Sequence, residues 1–159
     1  MAILNIVKDG DEILRKKSKD VATVDEKVLT LLDDMRETME KAGGVGLAAV
    51  QVGKLKRVIV IDTGKESLEL INPRLLKKSG QVEELEGCLS CPGRWGITRR
   101  PQKVEVETLD RNGKTVRHKA EGLLAKAICH EMDHLEGKLF YDEAVRMLSE
   151  KELEEMQNG

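Results

Sequence analysis

The chain has 159 residues, of which 40% are hydrophobic and only 2% aromatic, so its core has to be built from aliphatic side chains. Its 27 Lys and Arg residues are nearly balanced by 29 Asp and Glu residues, and the net charge of -2 excludes the basic excess that direct nucleic-acid binding requires. We expect a single catalytic domain spanning 1–159 in a cytoplasmic protein that does not bind a membrane, since three cysteines occur without an export signal or an apolar run of membrane length.

A first helix is predicted in the N-terminal third of the chain. Thr23 and Glu26 have the spacing of a capping box, in which two side chains bond to the backbone of the first helical turn. The apolar residues that follow recur at helical spacing. Gly43 and Gly44 then predict the end of this helix.

The glycine-rich segment 44–49 matches the motif of dinucleotide-binding proteins, but its context does not. That motif requires a strand before it and a helix after it, whereas here a helix precedes and a strand-like segment follows. The small residues of this segment would instead give another backbone room to approach. An extended peptide could then pair with the segment by strand addition. Gln51, at the end of the segment, could offer its side-chain amide to a developing oxyanion.

The middle of the chain predicts antiparallel strands. A β-branched run at 57–62 predicts a buried strand, and 68–72 predicts a partner that ends at Pro73. The Asn-Gly dipeptide at 112–113, preceded by alternating apolar and charged residues, predicts a hairpin with a type I′ turn. A short C-terminal helix is predicted to open at Ser149. The fold class is therefore α+β, with mainly antiparallel sheets around a central metal-binding helix, an N-terminal helix and a short C-terminal helix.

The central helix, predicted between Gly122 and Gly137, carries the most informative motif, His130-Glu131-Met132-Asp133-His134. Two histidines four residues apart project from one face of a helix, so both imidazoles can reach a single metal ion. Glu131 could take a proton from metal-bound water without being a ligand. Apolar residues share this face, so the site should be buried, and a buried carboxylate without a partner would be too costly to lack a function.

The residues alone leave the third ligand open. Candidates are a carboxylate from 150–154, as in metallopeptidases, or one of the cysteines Cys88, Cys91 and Cys129. Cys129 lies about 100° around the helix from the first histidine and should point elsewhere. The Cys88-x-x-Cys91 pair is compatible with a redox pair, a closed structural zinc site, or one ligand beside an open fourth position. Only the last arrangement gives the carboxylate of the helix motif a function.

Three segments taken together resemble the signature motifs of the bacterial peptide deformylases. They are Gly44-Val45-Gly46-Leu47-Ala48-Ala49-Val50-Gln51, Glu86-Gly87-Cys88-Leu89-Ser90 and His130-Glu131-Met132-Asp133-His134. The resemblance runs from about Ile3 to Tyr141 and implies the removal of formate from N-formylmethionyl peptides that emerge from the ribosome. It also implies one divalent metal ion held by Cys88, His130 and His134. In the family this ion is typically iron(II), and zinc, nickel and cobalt are substitutes.

The resemblance further implies a role for individual residues. Glu131 would act as general base and acid, while the Gln51 amide and the Leu89 backbone N–H would hold the oxyanion. The peptide would pair with the segment 44–46, and its methionine would enter an apolar pocket. The residues expected to bind the substrate are Val45, Gly46, Leu123 and Ala127.

Three residues near the implied pocket depart from the better-known family members. Trp95 occupies a position where an arginine often steadies the substrate, so the resemblance does not imply that contact here. Glu84 and Lys126 replace apolar residues, which leaves the shape of the pocket open. A transient ribosome contact also stays open, because in longer relatives a C-terminal helix makes it and the tail after Met147 is short.

Overall fold

The computed structural model describes residues 2–158, which form two antiparallel sheets and three α-helices. The strands are β1 (Gly46–Ala48), β2 (Val58–Asp62), β3 (Ser67–Ser79), β4 (Val82–Glu86), β5 (Gly96–Arg100), β6 (Lys103–Leu109), β7 (Thr115–Glu121) and β8 (Arg146–Met147). The helices are α1 (Glu26–Ala42), α2 (Leu123–Leu135) and α3 (Glu150–Asn158). One sheet has the strand order β1-β2-β3-β6-β7 and the other β4-β5-β8. The predicted α+β class is confirmed.

Helices α1 and α2 pack on opposite faces of the five-stranded sheet. Along β2, Ile59 and Ile61 face α2, whereas Val58 and Val60 face α1. This alternation follows from the two-residue period of a strand and explains why the run is apolar throughout. Both core layers are aliphatic, as the composition requires. None of the helices in residues 2–158 has the length and apolar character needed to cross a membrane.

The predicted cap of α1 is wrong by two residues. Asp25 rather than Thr23 is the N-cap, and its carboxylate accepts a hydrogen bond from the Val28 N–H at 3.1 Å. An aspartate is as effective a cap as threonine and its charge also favours the positive end of the helix dipole. The predicted end is confirmed, because Gly43 lies in the left-handed region with φ 71° and its N–H bonds back into the last turn.

Strand β3 continues through Pro73, where the sequence predicted its end. The pairing with β6 shifts between Ile71 and Arg74, and Asn72 has a positive φ of 51°. The Asn72 side chain holds this bulge in place through two hydrogen bonds to the backbone of Val21, at 2.7 and 2.9 Å. A bulge leaves one residue outside the ladder, so the missing N–H of proline costs nothing there.

The hairpin between β6 and β7 is confirmed, but its predicted type I′ turn is wrong. The ladder ends at a five-residue loop, 110–114, rather than a two-residue turn. The carboxylate of Asp110 accepts the N–H of Asn112 at 2.8 Å and sets the loop conformation. A type I′ turn needs a positive φ at both central residues, whereas here Gly113 has one and Asn112 does not.

The sheet β4-β5-β8 was not predicted, although it connects the central helix to the rest of the site. Its strands are short and charged, with an apolar share too small to signal a strand. Residues 96, 98 and 100 of β5 nevertheless point inward, at the two-residue period of a strand. The C-terminal helix opens as predicted, with the Ser149 hydroxyl accepting the N–H of Glu152 at 3.2 Å.

Candidate metal centre

The three predicted ligands come together between α2 and the loop that follows β4. Cys88, His130 and His134 each place one ligand atom so that all three atoms lie within 4.8 Å of one another. The Cys88 sulfur is 3.3 Å from Nε2 of His134. Both histidines are buried, and within residues 2–158 no carboxylate from 150–154 joins the group.

Each histidine presents a nitrogen suited to a metal. His130 donates from Nδ1 to Oε2 of Glu86 at 2.5 Å, which fixes the ring and leaves Nε2 free. Burial lowers the pKa of His134 well below its ordinary value, so its imidazole is neutral at physiological pH. Only the neutral ring has a lone pair to offer to a metal.

A buried ion-pair network supports the first histidine. Both carboxylate oxygens of Glu86 are held by Arg100, through Nε at 3.1 Å and Nη2 at 2.8 Å, and Thr98 donates its hydroxyl at 2.8 Å. Arg100 also reaches Asp133 at 2.5 Å. Burial opposes the ionisation of Glu86, but the hydrogen bonds from His130 and Arg100 outweigh it and hold the pKa of this carboxyl far below its usual range.

The sequence alone did not predict a function for Glu86 or Arg100. Glu86 lies in the segment that resembles a deformylase motif, two residues before Cys88. The sequence offers no clear signal for them, because the strands that carry them were not predicted and a buried charge is recognised only through its partner. Which partner it finds depends on how β5 and α2 pack.

Glu131 is a buried carboxylate with an unused oxygen. It is 4% exposed, Oε2 lies 3.9 Å from Nε2 of His130, and Oε1 has no hydrogen-bond partner among the described residues. Burial raises its pKa to about 7. A Cβ at Gly46 would lie 2.7 Å from Oε2, so only a glycine lets β1 run this close to the carboxylate. A polar group bound beside His130 would satisfy Oε1.

The other two cysteines differ from Cys88 in their surroundings. Cys91 closes a turn, donating its N–H to the Cys88 carbonyl at 2.9 Å, and packs in an apolar cluster with Leu14 and Phe140. A hydrogen bond between the two thiols, together with burial, raises the pKa of Cys88 in the metal-free protein. Cys129 packs against the core between α2 and the sheet, as its position on the helix predicts.

Gln51 lies where its amide can serve this centre. It is buried on the turn after β1, and its Oε1 accepts the N–H of Ala48 at 2.9 Å. This contact directs Nε2 toward Ser90, whose hydroxyl is 3.1 Å away, and toward the Cys88 sulfur at 3.5 Å. Leu89 therefore lies between the two residues that Gln51 contacts.

A cavity of about 420 Å³ opens onto Cys88, His130 and Glu131. All the residues expected to bind substrate line it, namely Val45, Gly46, Leu123 and Ala127. Within residues 2–158, β1 is an edge strand that pairs with β2 alone. Its other edge can accept an extended chain.

Two of the three departures from the family pattern, Lys126 and Trp95, line this cavity, and the third, Glu84, contacts Lys126. Lys126 donates to the Leu85 carbonyl at 2.7 Å and pairs with Glu84 at 3.4 Å, so the two charged replacements neutralise each other. Their contact ties α2 to β4, and Lys126 and Leu85 form part of the cavity wall. Trp95 lies on the wall as well and is 41% exposed.

The donor set fits a divalent metal ion. One thiolate and two imidazoles suit iron(II), zinc, nickel and cobalt, so ligand type does not choose between them. The ring of His130 held by Glu86, the neutral ring of His134 and the unpartnered oxygen of Glu131 are compatible with such an ion.

Known proteins share both the sequence and the fold. The family model for polypeptide deformylase matches residues 3–150. A peptide deformylase from Caldicellulosiruptor bescii is 53% identical over 155 residues, which cover 98% of this chain and 93% of that protein. One from Acetivibrio thermocellus is 54% identical over 154 residues, covering 97% and 91%. The crystal structure of peptide deformylase from Thermotoga maritima has a TM-score of 0.88 at 36% identity and covers 91% of this chain and 99% of that one.

Proposed function

Because the chain belongs to the polypeptide deformylase family, we propose that it is a metal-dependent hydrolase that removes the formyl group from N-formylmethionyl peptides and releases formate. The observation that carries the metal-dependent part is the meeting of Cys88, His130 and His134 within 4.8 Å, next to the unpartnered carboxylate of Glu131. Substrates of this kind are newly made peptides in the cytoplasm, where we place the protein. A brief encounter with the ribosome would deliver them.

Cys88, His130 and His134 would hold the ion, which we propose to be iron(II), with zinc, nickel or cobalt as substitutes. A divalent ion in this position supplies a Lewis acid and lowers the pKa of a water molecule. Glu86 holds the His130 ring in place and makes it more basic, so that Nε2 would be available to hold the ion.

Glu131 would move the protons. One carboxylate oxygen accepts a proton from the attacking water as the water oxygen bonds to the formyl carbon. The same carboxyl then gives a proton to the peptide nitrogen as the carbon–nitrogen bond breaks, so that formate and a free amine leave. Its pKa near 7 in the metal-free protein lies close to the pH at which it has to accept and return a proton.

Gln51 and Leu89 would stabilise the negative charge that develops on the formyl oxygen. The Gln51 amide is already fixed by the Ala48 N–H, so Nε2 needs no reorganisation to donate. The backbone N–H of Leu89 would be a second donor, next to Cys88.

The cavity supports methionine as the first side chain. Val45, Leu123 and Ala127 offer an apolar surface, which suits an unbranched, polarizable thioether. The peptide backbone would pair with the segment 44–46, which leads into the edge strand β1, and the small residue Gly46 would keep it close to Glu131.

Formate release from formyl-Met-Ala-Ser tests this proposal, with anaerobically purified protein and an acetylated peptide as control. We expect stoichiometric formate and a new free amine from the formylated peptide, and no reaction of the acetylated one. Mass spectrometry of the products decides against the proposal if the peptide is cut at an internal amide while its formyl group stays in place.

A further inference from the structure

Cys91 is a second thiol beside Cys88 that the metal centre leaves unused. It is free, 2% exposed and not one of the three residues that meet within 4.8 Å. Its N–H donates to the Cys88 carbonyl at 2.9 Å, so residues 88–91 form a closed turn. The end residues of such a turn lie within about 7 Å of each other between Cα atoms, and a disulfide requires a Cα separation of about 4.4–6.8 Å. The turn therefore brings the two cysteines within reach of a disulfide.

The Cys88 sulfur has two alternative kinds of partner. It is 3.3 Å from Nε2 of His134, in the group that would hold the ion. Its thiol is also hydrogen-bonded to the thiol of Cys91. A metal binds the thiolate, and a sulfur that is joined to another sulfur has no thiolate to offer. A bond to Cys91 and a bond to a metal ion therefore exclude each other.

The third cysteine of the chain belongs to a different part of the core. Cys88 and Cys91 lie in the small apolar cluster built around Leu14 and Phe140. Cys129 packs against the larger cluster between α2 and the five-stranded sheet. Disulfide formation therefore has one favoured pairing in this chain, Cys88 with Cys91.

The cavity determines which of the two sulfurs a small oxidant meets first. Cys88 is partly exposed to the cavity of about 420 Å³, whereas Cys91 lies in its wall and is almost completely buried. An accessible thiol with a second thiol beside it is the usual arrangement of a redox-sensing site. Disulfides in the cytoplasm are usually transient and serve such a role. Cys88 is thus placed to react with the oxidant, and Cys91 to resolve the product.

We propose that Cys88 and Cys91 are a reversible oxidation site, at which hydrogen peroxide joins the two sulfurs of the metal-free protein and a dithiol separates them again. While the disulfide persists, Cys88 is withdrawn from His130 and His134 and the ligand group is incomplete. The inference goes beyond the proposed function, because the disulfide requires neither substrate nor turnover. Its effect on metal binding rests on the assignment of Cys88 as a ligand.

The oxidation takes two steps, each of which releases one water molecule. The Cys88 sulfur attacks one peroxide oxygen, the oxygen–oxygen bond breaks, and the thiol becomes a sulfenic acid. The Cys91 sulfur then attacks the Cys88 sulfur, the sulfur–oxygen bond breaks, and the hydroxyl leaves as water with the proton of the Cys91 thiol. The two thiols lose two electrons, which the peroxide takes up. A dithiol reverses the change by thiol–disulfide exchange and is itself oxidised to a disulfide.

Cys91 also protects Cys88 from irreversible damage. A sulfenic acid that meets no second thiol reacts with more peroxide to sulfinic and sulfonic acids, which dithiols do not reduce. The Cys91 thiol, which is hydrogen-bonded to Cys88, intercepts the sulfenic acid first. Peroxide should therefore disable the ligand group reversibly in the wild type and permanently in a variant without Cys91.

Mass spectrometry of one tryptic peptide tests the proposal. Metal-free protein is treated with hydrogen peroxide, alkylated and digested. The peptide 79–94 contains both cysteines but no methionine or tryptophan, so added oxygen in it reports on the cysteines alone. In the wild type we expect this peptide to lose two hydrogens and to carry no alkyl group, while Cys129 is alkylated. Dithiothreitol before alkylation should restore two alkylated cysteines to the peptide.

Variants of the two other cysteines serve as matched controls. Cys91→Ser and Cys91→Ala, whose folding is checked by circular dichroism, should gain two or three oxygens at Cys88 that dithiothreitol does not remove. Cys129→Ser should form the disulfide as the wild type does. Both cysteines of the wild-type peptide alkylated after peroxide, sulfinic acid at Cys88 to the same extent as in the Cys91 variants, or pairing of Cys88 with Cys129 would overturn the inference.

Zinc binding supplies a second readout that is independent of turnover. Oxidised wild-type protein should bind almost no zinc in competition with a chromophoric chelator, and after dithiothreitol treatment and its removal it should again bind one ion per chain. The Cys91 variants should not recover. A disulfide-containing protein that binds zinc as tightly as the reduced protein would contradict the proposed exclusion. Formate release by untreated protein is measured separately, so that a failure of the proposed function leaves the result for the disulfide unchanged.

Discussion

Replacing Glu131 with Gln should stabilise the metal-free protein at neutral and alkaline pH. Glu131 is 4% exposed, and its burial raises the pKa of this carboxyl from an ordinary 4.5 to about 7. Each pKa unit corresponds to about 1.4 kcal/mol. The ionised carboxylate therefore lowers the free energy of unfolding by about 3 kcal/mol once the pH exceeds 7.

The sign of this effect follows from where the proton is lost first. Below pH 4.5 Glu131 is protonated in both states and costs nothing. Between pH 4.5 and 7 the unfolded chain gives up this proton before the folded protein does, so stability falls as the pH rises. Glutamine has no proton to lose. The stability of Glu131→Gln relative to the wild type should therefore rise by about 3 kcal/mol across this range.

Urea unfolding in the presence of a chelator, at pH 5, 6, 7 and 8, measures the difference. Glu150→Gln makes the same substitution at an exposed position and should not show this trend. A difference between wild type and Glu131→Gln that stays flat from pH 5 to 8 would refute the reasoning. With metal bound, the same variant should keep its ion but lose at least ~100-fold in turnover, the scale of general-base catalysis.

Three further substitutions test the surroundings of the ligands. Arg100→Met leaves Glu86 and Asp133 without their cation and should cost about 3–5 kcal/mol in urea unfolding, whereas Arg99→Met, at an exposed ion pair, should cost at most about 1 kcal/mol. Glu86→Gln should weaken metal binding about 10- to 100-fold in a chelator competition, since it loosens His130. Cys91→Ser should keep both metal and activity; loss of folding on this change would indicate a closed structural metal site instead.

The features that could be predicted from the sequence are those set by local geometry. The spacing of His130 and His134 places both rings on one face of any helix, and Gly43 ends α1 wherever that helix packs. The assignment of Cys88 as the third ligand joins residues that are far apart in the chain. It followed from the resemblance of three motifs, in their order, to a known family rather than from the residues alone.

The features that could not be predicted depend on tertiary contacts. Pro73 is tolerated within β3 because hydrogen bonds between Asn72 and Val21 stabilise a bulge there. No local sequence pattern predicts this contact. In the charged strands β4 and β5, Glu86 and Arg100 form a buried ion pair whose partners are far apart in the sequence. A buried charged residue is hard to recognise in a sequence with 35% charged residues, since most charged residues are on the surface.

Metal content per chain tests the account most directly. Protein prepared without oxygen should contain one divalent ion, and Cys88→Ala should contain almost none while keeping its circular dichroism spectrum. Cys129→Ala, which removes a thiol from the same neighbourhood but not from the ligand group, should bind the ion as the wild type does. Full metal content in Cys88→Ala would contradict the assignment of this sulfur, together with His130 and His134, as the ligand set of a catalytic ion.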